Sequence, residues 1–279
     1  MTPEIAISGP RRIPLGVGVL LGESFSILFR HFFAVLLLGF LPSLLGHYLV
    51  DLLAEFAAAN DLFGQSSYFN RKLLTLGLKM IAGLAVYALT TALLIQLVYD
   101  VKLRRPVRLR RYPGPALRAT VPIVLSCIVV IALLAAIVYP IEIFDFSGTI
   151  LLMIVLPTTL LIVLLVCTAF SLTPPAIVIE RAGFRGLGRS IFLTRNYRLP
   201  IAGALFLMSI IYFFISTAQT LAIILGGFVE SGEFALLMMV ALPATIATVL
   251  LAILTSLIYA RLRELKEGVS VDHLANVFE

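Results

Sequence analysis

The chain contains no tryptophan, only three histidines and two cysteines, and charged residues make up just 13% of it. Each shortage excludes something. His31, His47 and His273 are scattered, and there is no HExxH or Cys–His cluster to build a metal site. Cys127 and Cys167 both sit inside apolar runs, without CxxC or zinc spacing, so they read as small apolar fillers and not as a disulfide framework. Phosphate-loop, nucleophile-elbow and dinucleotide fingerprints are all missing. No polar stretch is long enough to form a catalytic domain. The reading therefore assigns no catalytic residue, no cofactor and no metal. Hydrophobic residues are 61% of the chain, against about 45–50% in an average soluble domain. Mean hydropathy is +1.08. A soluble fold cannot bury that much apolar surface and still show water a polar shell. A soluble enzyme, a disordered chain and a secreted disulfide scaffold are all excluded.

What is present is long apolar runs. A membrane span needs about 20 apolar residues at a rise of about 1.5 Å each. Six segments qualify: Phe32–Leu53, Leu73–Tyr99, Ala119–Tyr139, Thr149–Leu172, Leu199–Gly226 and Phe234–Tyr259. None alternates polar with apolar residues as barrel strands do, so helices are expected. Basic residues divide unequally between the two sides. Eighteen of the 21 fall in the N-terminal segment, the loops after spans two and four, and the tail. Arg71, Lys72 and Lys79 sit on the other side, with Asp51, Glu55, Asp61, Glu142, Asp145, Glu230 and Glu233. The positive-inside rule then places both termini in the cytoplasm, and the segregation holds only for an even number of spans. Met1–Gly18, with three prolines and Arg11–Arg12, is expected to be a cytoplasmic tail and not a cleavable signal. Residues 19–260 form one membrane domain, and 261–279 a cytoplasmic tail.

Two stretches, Val19–His31 and Phe184–Asn196, mix polar residues with large apolar ones and end just before a span, as interfacial helices do. They also resemble each other. Ser26–Phe32 lines up with Ile191–Tyr197 at a spacing of 165, and Leu97–Val98–Tyr99 with Leu257–Ile258–Tyr259 at 160. The unit would be interfacial helix, span, acidic loop, span, then tyrosine and basic residues. Spans three and four would be inserted between two parallel copies. Pro42, Pro157 and Pro243 interrupt spans, and Pro174–Pro175 should stop span four. The expected fold is an all-α polytopic membrane bundle of six transmembrane helices plus two interfacial amphipathic helices.

Polar groups inside hydrocarbon are costly and mark candidate sites. His47, Asp51 and Glu55 share one helical face, and Lys79 on span two is a plausible neutralising partner. Gln96 and Gln219 lie deeper. Thr245, Thr248, Thr255 and Ser256 can bond to carbonyls of their own helix and need no function. The sharpest feature is the basic run Lys102, Arg104, Arg105, Arg108, Arg110, Arg111 and Arg118, broken by three prolines. With Arg181, Arg185, Arg189, Arg195 and Arg198 it is read as one surface for anionic membrane lipids. The competing explanation is topology alone. Nucleic acid is not expected as a partner, because the basic residues border apolar runs and no aromatic-interleaved polar groove exists.

Two motifs carry a resemblance. Pro174–Pro175–Ala176–Ile177–Val178–Ile179–Glu180, then Gly183 and Gly186–Tyr197, is similar to the central motif of a bacterial multi-spanning family. Tyr259–Ala260–Arg261–Leu262–Arg263 with Lys266–Glu267–Gly268 resembles its terminal motif, and Gly22–Phe25 to Arg30 its start. That family is similar to the membrane domain of glycerophosphoryl diester phosphodiesterase. The resemblance implies a bundle that in some relatives precedes a soluble catalytic domain, none of whose catalytic residues has a counterpart here. The leading functional reading is a non-enzymatic accessory, regulatory or lipid-organising protein of the bacterial inner membrane, with a membrane-protein partner as an expected option. The alternative is a transporter of a small molecule or lipid, which a central cavity lined by His47, Gln96 and Gln219 would favour.

Overall fold

A computed structural model of the protein describes residues 15–59, 68–143, 148, 151–226 and 233–268. The loop residues Asp61, Asp145 and Glu230 and the tail residue His273 lie outside them, as do the side chains of His47, Asp51, Arg71, Lys72, Glu142 and Glu233.

Nine α-helices make up the described chain: α1 Val17–Arg30, α2 Phe32–Ala59, α3 Tyr68–Lys102, α4 Pro113–Ile143, α5 Leu156–Phe170, α6 Thr173–Glu180, α7 Arg185–Thr194, α8 Arg198–Leu225 and α9 Glu233–Glu267. No strand occurs among the described residues. Six stretches are long and apolar enough to cross a membrane: within α2, α3, α4, α8 and α9, and in α5 and α6 taken together. The molecule is a multi-pass helical membrane bundle.

Span four stops as a helix at Phe170, just before Pro174–Pro175, as expected, but the apolar stretch continues to Glu180. The helix breaks at Ser171–Leu172 and restarts as α6, with the prolines in its first turn, where a missing N–H costs nothing and φ is already helical. A π-helical turn, Leu151–Val155, precedes α5. The last span also overruns: α9 continues through Glu267, which makes Arg261–Glu267 helix continuous with the span.

The internal repeat is visible in the helices. A short amphipathic helix is followed by helices of 28 and 35 residues in both halves: α1, α2, α3 and α7, α8, α9. Buried residues register the short helices more finely. In α1 they are Leu20, Ser24, Ile27 and Leu28. In α7 they are Gly186, Ser190, Leu193 and Thr194. The spacing is 166 throughout, one more than the apolar run suggested, because burial follows the helical face and not the longest apolar match. Gly22–Glu23–Ser24 thereby pairs with Gly188–Arg189–Ser190.

Helix α9 is the centre of the bundle and packs against α1, α2, α3, α6, α7 and α8. Its stretch from Ala252 to Ala260 is buried without interruption. Close approach at the basic end depends on Gly186, where a Cβ would stand 2.6 Å from Ile177 Cγ1 and force α7 off α6. The buried core concentrates at the end of the bundle that carries the basic residues, around Leu94, Leu97, Ile123, Ile177, Leu193 and Leu257.

Candidate functional site: the basic end of the bundle

The segment between α3 and α4 is folded, not slack. Leu103 and Tyr112 are buried, and Leu109–Arg111 forms one 3-10 turn. Tyr112 Oη donates to Asp100 Oδ2 at 2.9 Å, pinning the far end of the segment to α3. Burial, reinforced by that carboxylate, pushes the Tyr112 phenol up to about 12. With its apolar residues turned in, the segment turns its guanidinium groups out. Arg104, Arg105, Arg108, Arg110, Arg111 and Arg118 are all exposed. Arg181, Arg185 and Arg195 of the second run are exposed too. Nine of the twelve basic residues expected on one surface therefore point outward at one end of the molecule.

The other three are engaged or half-buried. Lys102 Nζ bonds Glu23 Oε1 on α1 at 2.7 Å. Arg198 is half-buried at the start of α8, and its Nε makes no hydrogen bond. Arg189 has two carboxylates. Its Nε lies 3.1 and 3.0 Å from the two Glu180 oxygens, and its Nη2 2.8 Å from Oε1. Its Nη2 also contacts Glu267 of α9. Burial works against the Arg189 charge, but Glu180 and Glu267 more than offset it and raise the pKa above its ordinary value. Tyr259 Oη donates to Glu180 as well, and Arg263 Nε reaches Glu267 at 3.2 Å. Lys266 Nζ donates to Phe192 O at 2.7 Å and Arg195 O at 2.8 Å, capping the carbonyl end of α7. One network thus joins the ends of α6, α7 and α9.

That network draws together the two motifs that carried the family resemblance, Glu180 with Arg189 and Tyr259 with Arg263 and Glu267. No spacing in the sequence points to it. The available signal was the acids on the basic side. Glu23, Asp100, Glu180, Glu264 and Glu267 break the charge segregation, and each has a partner: Lys102, Tyr112, Arg189, Arg261 and Arg263. The repeat shows in the bonding too. Glu23 on α1 ties to the end of α3, as its counterpart Arg189 on α7 ties to the end of α9.

Two of the clefts on this end gather arginines from separate elements. One, of about 500 Å³, is lined by Arg30, His31, Lys102, Arg104 and Arg261, with Glu23 and Glu264. The other, of about 240 Å³, lies between α4 and α6 and brings Arg118 of the first basic run to Arg181 of the second.

Of the intramembrane candidates, those with described side chains lie on α2, α3 and α8. Glu55 and Lys79 are exposed on α2 and α3, which pack side by side. Gln96 Nε2 donates to Ala92 O of its own helix at 3.2 Å, and Gln219 is half-buried on α8. Thr255 and Ser256 bond to carbonyls one turn back, as expected of hydroxyls in a span. A crevice of about 390 Å³ does exist inside the bundle, but Gln96 and Gln219 do not line it. Its walls come from α3, α4, α5, α8 and α9, with the break between α5 and α6 as its floor. Cys127 and Cys167, free thiols, are part of those walls.

Among the described residues no group of three His, Cys, Asp or Glu side chains is placed to hold a metal ion. No family model, curated protein or solved structure matches the chain.

Proposed function

We propose that the protein is a non-catalytic component of a bacterial inner membrane that gathers anionic lipid at its basic end, with that end and both termini in the cytoplasm. The carrying observation is the nine outward arginines on a folded end with two basic clefts. Each charge near an anionic surface contributes about 1 kcal/mol. A protein already spanning the bilayer does not need that energy for anchoring, so it is available to select headgroups or to hold a membrane-protein partner beside them. Kinship with the membrane domain of glycerophosphoryl diester phosphodiesterase is part of this reading, supported by the bonding between the two motifs that suggested it. The transporter reading draws on a different observation, the broken span α5–α6 beside the crevice, since interrupted spans often border substrate sites.

Native mass spectrometry from mixed phosphatidylglycerol and phosphatidylcholine tests the lipid reading. Replacing Arg108, Arg110, Arg111, Arg181 and Arg185 with Gln leaves the Glu180 network untouched. Retained phosphatidylglycerol should fall several-fold while phosphatidylcholine is unchanged. Equal retention of phosphatidylglycerol by the variant and the parent would leave the positive-inside rule as the whole explanation of these charges.

A further inference from the structure

We propose that the crevice inside the bundle is a binding site for a neutral, chain-bearing lipid, whose carbonyl oxygen accepts a hydrogen bond from Thr173. The site lies away from the basic end, and the proposal stands independently of lipid selection there.

The size fits such a guest. About 390 Å³ holds roughly a dozen water-sized groups and falls within the usual range of ligand cavities. The lining fixes the guest's charge. No lining residue is charged. A phosphate or ammonium placed there would lose its hydration without a counter-ion, at several kcal/mol. The headgroup must therefore be small and uncharged.

The floor supplies the polar contact. Thr173 is 4% exposed, and its Oγ1 makes no hydrogen bond. Ser126 and Thr255 in the walls have donated their protons within their own helices, to Pro122 O at 2.7 Å and Leu251 O at 2.9 Å, whereas Thr91 Oγ1 on the α3 wall, like Thr173 Oγ1, makes no hydrogen bond. Thr173 has not taken that outlet. The carbonyl one turn back, Ala169 O, already accepts from Ser190 Oγ at 2.7 Å. A buried donor left unsatisfied costs about 1–3 kcal/mol, and an acceptor on a guest removes that cost. Thr173 also opens α6, the helix that closes the crevice from below.

The way in follows from exposure. Tyr87, Ile131 and Cys167 are exposed, and on their helices they lie farther from the basic end than the buried Ile123, Thr173 and Thr255. The crevice thus opens away from the basic end, at hydrocarbon depth. A guest arriving from the bilayer enters headgroup first and leaves its chain at the mouth. Two lipids share the required chemistry: a diacylglycerol, through an ester carbonyl, and an isoprenoid quinone, through a ring carbonyl.

The absence of tryptophan makes the test clean. Phe170→Trp places a single reporter in the crevice wall, and Tyr87→Trp places one at the mouth. Either variant is reconstituted in phosphatidylcholine vesicles and titrated with brominated diacylglycerol, with an isoprenoid quinone, or with brominated phosphatidylcholine. Saturable quenching by diacylglycerol or by quinone, above the phosphatidylcholine baseline, is expected, and the lipid that saturates identifies the guest. Adding Thr173→Val should weaken that binding about 2- to 10-fold, the range for one uncharged hydrogen bond. The proposal fails if neither lipid quenches beyond phosphatidylcholine in both reporters. It also fails if a folded Thr173→Val variant binds as tightly as its parent.

Discussion

The two ends of the bundle are built differently. At the basic end α1 and α7 fill the gaps between spans, and ion pairs tie the helix ends together. Toward the other end the crevice opens, and large apolar side chains such as Tyr139, Leu160 and Phe213 are exposed. The spans themselves show the same division. The window in α4 has a mean hydropathy of 3.1 and is 11% buried, whereas that in α9 has 1.9 and is 72% buried. The most apolar helix is at the periphery and a less apolar one at the centre, the reverse of a soluble protein. Lipid tails are as apolar as leucine, so hydrophobicity is required of the surface here. The centre is chosen by packing and tolerates Thr245, Thr255 and Ser256 because each can satisfy itself on its own backbone.

The largest effect should come from breaking the packed end at its hub. Glu180→Ala leaves Tyr259 without its acceptor and Arg189 with one carboxylate in place of two. Because these groups are about a fifth exposed, the loss should be about 3 kcal/mol, at the lower end of the range for breaking a buried ion pair. Reversible denaturation in mixed micelles would show it, and a loss below about 1 kcal/mol would mean that the network is decorative.

A matched pair of truncations measures the contrast itself. Leu254→Ala, in the centre of α9, removes a fully buried side chain and should cost about 2–4 kcal/mol. Leu161→Ala, on α5, removes one that is 57% exposed and should cost under about 0.5 kcal/mol in the same assay. Equal costs would erase the distinction between centre and periphery.

The smallest effect tests the tie between α1 and α3. Glu23→Lys and Lys102→Glu should each destabilise, and the double exchange should restore stability. Both side chains are 32% exposed, which limits the coupling to about 1 kcal/mol or less. A double variant no better than the worse single one would remove this pair from the account.

Much of the architecture was legible in the sequence because the bilayer imposes length and charge rules that act locally. The six spans, the two short helices and the repeat follow from runs of residues that are neighbours in sequence. The network was not legible, because Glu180, Arg189 and Glu267 are brought together by tertiary packing, and Arg189 alone looks like any arginine in a basic loop. The helix that restarts at Pro174–Pro175 was hidden for a related reason. A proline pair stops one helix and starts another equally well, and only the packing of α6 against α3, α4 and α7 decides between them. The crevice left no trace either, since its walls are built from the same leucine, threonine and cysteine that fill cores.

The central position of α9 has a consequence for biosynthesis. Helices α1, α2 and α3 all pack on it, yet it is the last of the nine to be translated. Between Lys102 and Glu267 the ribosome adds 165 residues, which at about 5–20 residues per second takes roughly 8–33 s. Through that interval the first three helices are made but lack the helix that all three pack against, and α7, once made, is without the lysine that caps it. The arrival of the final helix closes all of these contacts at once, which makes it the keystone of assembly as well as of the finished bundle.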